Sequence, residues 1–88
     1  MRVTIRLFAR LRELAGSGEF VREVAPGATV RQVWESLTAE HPSIAPYAES
    51  MSCAVNADYA RMTTAVNEGD EVAFLPPVSG GAPLSSKN

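Results

Sequence analysis

Two prolines set the strongest constraint on this chain. Pro76 and Pro77 directly follow Asp70-Glu71-Val72-Ala73-Phe74-Leu75. Neither can donate a hydrogen bond to a neighbouring strand, so a sheet that contains Glu71 to Leu75 must release the chain there. The two rings bias the next residues toward an extended, polyproline-like path. Val78 and Ser79 then lead to Gly80 and Gly81, which lack Cβ, can enter a narrow channel and leave their carbonyls open to attack. Of the strand-like segments the first and last are the most apolar, which sets them side by side in mid-sheet. A central last strand turns its continuation into a projecting tail, and the six residues from Pro76 to Gly81 reach roughly 20 Å at about 3.3 Å per residue.

A chain of 88 residues has room for one domain and a compact core, above the size at which disulfides or metals are usually needed. Apolar residues make up 45% and charged residues 20%, which is ordinary for a globular chain and argues against disorder. Six glycines and six prolines imply many turns, short strands and little helix. The net charge of −2 and the scatter of seven arginines from Arg2 to Arg61 provide no basic footprint for nucleic acid. The single cysteine, Cys53, lies in an apolar run with no histidine after it to activate it, so a buried thiol is expected. His41 is the one histidine, without the companions a metal site needs. No apolar run is long enough for a bilayer, and Met1 to Ile5 alternates like a strand rather than a signal peptide, so a cytoplasmic protein without a membrane partner is expected.

Val3, Ile5 and Leu7 alternate with Arg2, Thr4 and Arg6, the pattern of a half-buried strand. Phe8 to Ala15 switches to helix formers, with Leu11, Leu14 and Ala15 on one side and Gly16 as the stop. Glu19 to Val24 reads as a second strand. Thr29 and Gln32 have capping-box spacing, which starts the main helix at Val30, and Pro42 ends it. Its apolar stripe is Val30, Val33, Trp34 and Leu37, with Trp34 as core anchor. An irregular crossover through Pro46 and Tyr47 leads to a third strand over 52–56, a tight turn at Asn56-Ala57-Asp58-Tyr59, a short fourth strand over 59–62 and the last strand over 71–75. One main helix among hairpin-compatible strands indicates an α+β fold, a mixed sheet of four or five strands with the helix across one face. The expected organisation is a folded domain over 1–75, a flexible tail over 76–81 and an exposed extension over 82–88.

Three motifs resemble those of the small-subunit family of molybdopterin synthase, sulfur carriers with the ubiquitin-like β-grasp fold. They are Phe8-Ala9-Arg10-Leu11-Arg12-Glu13 after the first strand, Ala54-Val55-Asn56 in the third, and Gly69 to Gly81 at the end. The last is the most specific, and the resemblance covers Met1 to Gly81. It implies that Gly81 is the reaction site, adenylated on its carboxylate by an activating enzyme that uses ATP and magnesium and then converted to a thiocarboxylate. It implies a second partner, the large synthase subunit, where the tail delivers sulfur to a pterin precursor. Gly80, Pro76 and Pro77 would shape the tail, and Phe8, Arg12, Tyr59 and Leu75 would dock the partners. No cofactor or metal bound by the chain itself is implied. A ubiquitin-like modifier, or a carrier for thiamin or cysteine synthesis, would share this activation chemistry.

Members of that family typically end at the second glycine, whereas here Ala82-Pro83-Leu84-Ser85-Ser86-Lys87-Asn88 comes after it. A thiocarboxylate forms only on a free carboxylate, so the chain ending at Asn88 cannot be charged at Gly81. The segment is small, polar and holds the only lysine, as suits an end exposed to a processing protease. A fusion remnant, or a carrier that has lost its chemistry, are the alternatives.

Overall fold

The computed structural model describes residues 1–77; Gly80, Gly81 and the extension over 82–88 lie outside the described residues. Strand β1 (Arg2–Leu7) is followed by helix α1 (Ala9–Ala15), β2 (Glu19–Glu23), helix α2 (Val30–Glu40) and a 3₁₀ segment (Pro42–Tyr47). Then come β3 (Ser52–Val55), β4 (Asp58–Ala60) and β5 (Glu71–Leu75). The five strands form one sheet in the order β2-β1-β5-β3-β4. Strands β1 and β5 are parallel, with Ile5 beside Val72 and Leu7 beside Phe74, and the other pairs are antiparallel. The α+β arrangement and the adjacent first and last strands match the expectation, and β5 is the middle strand.

The period-two pattern decides which side is covered. Val3, Ile5, Leu7, Val72 and Phe74 are buried on one face beneath Val30, Val33, Trp34 and Leu37 of α2. Trp34 meets Phe74 with ring centroids 4.8 Å apart, tilted as aromatic quadrupoles favour. Ile44 of the 3₁₀ segment and Leu11 of α1 close the ends of this core. The capping box forms as expected: the Gln32 amide donates to Thr29 Oγ1, and the Thr29 amide donates to Gln32 Oε1 at 2.9 Å. Cys53 is buried, its Sγ donating to the Ala60 carbonyl, and burial pushes the thiol pKa up.

Two turns use the left-handed region without glycine. The β3–β4 hairpin has Asn56 at φ 52° and Ala57 at φ 73°, the signs of a type I′ turn. Asn56 suits it, because its side chain also ties β3 to the start of β5: its Nδ2 donates to Asp70 Oδ1 and its Oδ1 accepts from the Glu71 amide. The turn from β1 into α1 has Ala9 at φ 52°. Phe8 remains extended, and its carbonyl accepts from the Leu11 amide. The reversal at Ala9 thus keeps Phe8 in strand register while the helix begins one residue later than the sequence pattern suggests.

Candidate functional site

The sheet face opposite α2 carries the other parity of each strand. Register places Glu19, Arg6, Ala73, Ala54 and Tyr59 in one row across it, from β2 to β4. The next row toward the tail holds Phe8, Leu75 and Ser52. Large apolar groups here are left to solvent: Phe8 is 40% exposed and Tyr59 87%. Its exposure distinguishes Phe8 from a core residue.

Phe8 sits between two grooves. On one side Phe8, Leu75, Pro76 and Pro77 line a groove of about 710 Å³ with Arg10, Glu13 and Tyr47. On the other, Phe8 and Arg6 line a smaller groove with Arg12, Ser17 and Glu19. The Arg6 guanidinium lies 5.9 Å from the Phe8 ring centroid, 3.3 Å from the Glu71 carboxylate and 3.9 Å from that of Glu19. Arg10 donates to Glu13 Oε1 at 3.1 Å; hydrogen bonds to Glu13 and then to Tyr47 raise its pKa further. These exposed pairs stabilise little on their own and chiefly hold the guanidinium groups in place.

The structure therefore brings Phe8, Leu75, Pro76 and Pro77 together. Arg12 stands on the far side of Phe8, its stem packed over Gly18, where a Cβ would meet Arg12 Cδ at 3.2 Å. Tyr59 shares the face but not the groove, since β4 is three strands from β1, roughly 14 Å at the usual spacing. Sequence reasoning missed Arg6, Ala73 and Ala54 as members of the face, although Arg6 shares parity with Phe8 and could have been found by alternation. It also missed Arg10 and Tyr47 at the groove. Tyr47 arrives from the crossover, and no local pattern announces it.

The described residues offer no group of three or more His, Cys, Asp and Glu suited to a metal ion, and none of their helices is long and apolar enough to cross a membrane. What the arrangement does provide is an apolar, arginine-flanked edge continuous with the base of a tail. Residues 5–81 match the model of the ThiS family. The chain is 35% identical over 83 residues to the molybdopterin synthase sulfur carrier subunit of Chlamydomonas reinhardtii, covering 92% of this chain and 100% of that one. The crystal structure of SAMP1 from Haloferax volcanii superposes with a TM-score of 0.82 at 31% identity, over 92% of this chain and 100% of that one. A chain in the Amycolatopsis orientalis BexX/CysO complex superposes with a TM-score of 0.66 at 28% identity, over 90% of this chain and 99% of that one.

Proposed function

The chain belongs to the ThiS family, and on that premise we propose that it is the sulfur carrier subunit of a molybdopterin synthase, carrying sulfur on the carboxyl group of Gly81. The observation that carries this reading is the apolar edge at the root of the tail: an exposed Phe8 beside Leu75 and the proline pair, on the sheet face that α2 does not cover. The family match supports it further by ending at residue 81, the second glycine.

The chemistry starts from the carboxylate. It is a poor electrophile, so its oxygen attacks the α-phosphorus of ATP in an activating enzyme and pyrophosphate leaves. The terminal sulfur of a persulfide then attacks the acyl carbon and AMP departs. A thiol of the donor reduces the resulting acyl disulfide, leaving a thiocarboxylate, a competent sulfur nucleophile. The large synthase subunit next takes this end and transfers its sulfur to a pterin precursor. The carrier supplies the reacting carbonyl and the docking edge, and catalytic groups come from the partners. Because Ala82 comes directly after Gly81, a protease must cleave between them first.

Mass spectrometry of the chain purified from its own cells tests this reading. A species ending at Gly81, heavier by the replacement of one oxygen with sulfur, is expected; a population ending only at Asn88 would overturn it. The likeness to SAMP1 favours a second reading, a protein modifier, which isopeptide-linked adducts on other proteins would reveal.

A further inference from the structure

The chain has seven arginines and one lysine, and that lysine, Lys87, lies beyond Gly81. If Gly81 is the carrier end, the form that reacts stops there and so carries no side-chain amine at all. Arginines nevertheless gather at the tail's root, where Arg6 pairs with Glu71 and Glu19 and Arg10 with Glu13. Arg10 lines the groove that holds Pro76 and Pro77, and Arg6 and Arg12 line the groove across Phe8. Three residues separate Pro77 from Gly81, a span of at most roughly 14 Å, so an activated carbonyl at Gly81 can reach the volume these groups occupy.

Such a carbonyl acylates amines. An unprotonated amine attacks the carbonyl carbon, a C–N bond forms, the bond to AMP or thiolate breaks, and the nitrogen gives its proton to water. The resulting amide ends the carrier's useful life. A lysine ammonium is neutral often enough near pH 8 to do this, whereas the neutral fraction of a guanidinium is about a hundredfold lower or less. The ion pair of Arg10 is a single contact of 3.1 Å with Glu13, three residues on, which an ammonium makes as well. The amine at Met1 is held elsewhere. It donates to the Val24 carbonyl at 2.7 Å, lies 3.8 Å from the Glu23 carboxylate and is 12% exposed. It also stands at the far end of β1 from Phe8, roughly 23 Å away at strand rise.

We infer that the arginines at the tail's root, Arg10 above all, make this carrier a donor only: they supply cationic partners to the carboxylates there while withholding the amine that its own activated carboxyl would acylate. The carrier then neither closes on itself nor builds lysine-linked chains of its own kind. Any conjugation to another protein stops at a single unit.

The inference rests on Gly81 as the reactive end, so the test imposes that activation chemically and leaves enzyme charging to the separate mass measurement on the cellular protein. Residues 1–81 contain every element of the fold and are prepared with an aryl thioester at Gly81, as the unaltered sequence, as Arg10→Lys and as Arg31→Lys, a distant position on α2. Thermal melting checks that all three remain folded. In dilute solution at mildly alkaline pH, Arg10→Lys is expected to yield a ring lighter than the hydrolysed acid by one water, its linkage mapped to position 10. The expected excess over the other two is at least about tenfold, the gain from holding the reactants together. Ring closure or self-linkage of the unaltered chain at the variant's rate would overturn the inference. So would hydrolysis of the Arg10→Lys thioester without closure while an added free amine is acylated normally.

Discussion

Replacing Ala9 with glycine isolates the strain that positions Phe8. Ala9 sits at φ 52°, and an L-residue there costs about 1–2 kcal/mol relative to right-handed backbone. Its methyl group is exposed, so glycine forfeits no packing. Glycine's greater freedom in the unfolded chain takes back about 0.4–1 kcal/mol. The net gain is about 0–1.6 kcal/mol, and its mid-range of about 0.8 kcal/mol raises the melting temperature of a domain of this size by about 3–6 °C. Docking should move the other way. With the turn loosened, Phe8 is less firmly ordered before it meets a partner, and affinity for the large synthase subunit should fall by about two- to tenfold. Urea denaturation and calorimetry read the first effect, and titration of the subunit reads the second. Ala57→Gly is the control: it relieves the same strain at φ 73° in the β3–β4 turn, and should stabilise while leaving affinity unchanged. A lower melting temperature for Ala9→Gly, or an affinity loss equal in both variants, would refute the reasoning.

Phe8→Ala should lower the melting temperature less than truncation of the fully buried Phe74, because Phe8 is 40% exposed, yet weaken partner binding by about 1–3 kcal/mol, measurable by calorimetric titration. Thr29→Ala removes one half of the capping box and should cost about 1 kcal/mol in urea denaturation without affecting docking. Cys53 adds a dependence on alkaline pH. Burial raises its thiol pKa above the ordinary 9.0, so the unfolded chain loses this proton first and binds fewer protons than the native one. Stability from this source is present below pH 9.0 and is lost as pH rises through that value toward the native pKa. Cys53→Ala should remove that slope in pH-dependent melting, and a thiol reagent at neutral pH should label the native chain far more slowly than the denatured one.

The elements that were legible in the sequence are those whose signals are local. Alternation over Arg2 to Leu7 sets the parity of β1, and Thr29 with Gln32 marks the start of α2 within one turn. Pro42 marks its end, and Pro76 with Pro77 marks the end of β5. The features that were not legible depend on contacts between distant segments. Nothing near Ala9 signals a left-handed turn, since alanine prefers helix; the conformation is imposed by β1 entering the sheet while Leu11 enters the core. The crossover likewise reads only as irregular, and the 3₁₀ segment with Tyr47 at the groove emerges only when it packs against α1. Phe8 is instructive in the opposite sense, because it continues the alternation of β1 and only the covered side of the sheet decides whether it is core or surface.

The central claim is that Gly81, freed of residues 82–88, carries the sulfur. The most direct measurement incubates the chain ending at Gly81, and separately the chain ending at Asn88, with an activating enzyme of the molybdopterin pathway, ATP, magnesium and a persulfide donor, followed by intact mass. The shorter chain is expected to gain the mass difference between sulfur and oxygen on its last residue, with the longer chain unchanged. Equal charging of both chains, or of neither while a carrier known to work with that enzyme is charged, would contradict the account.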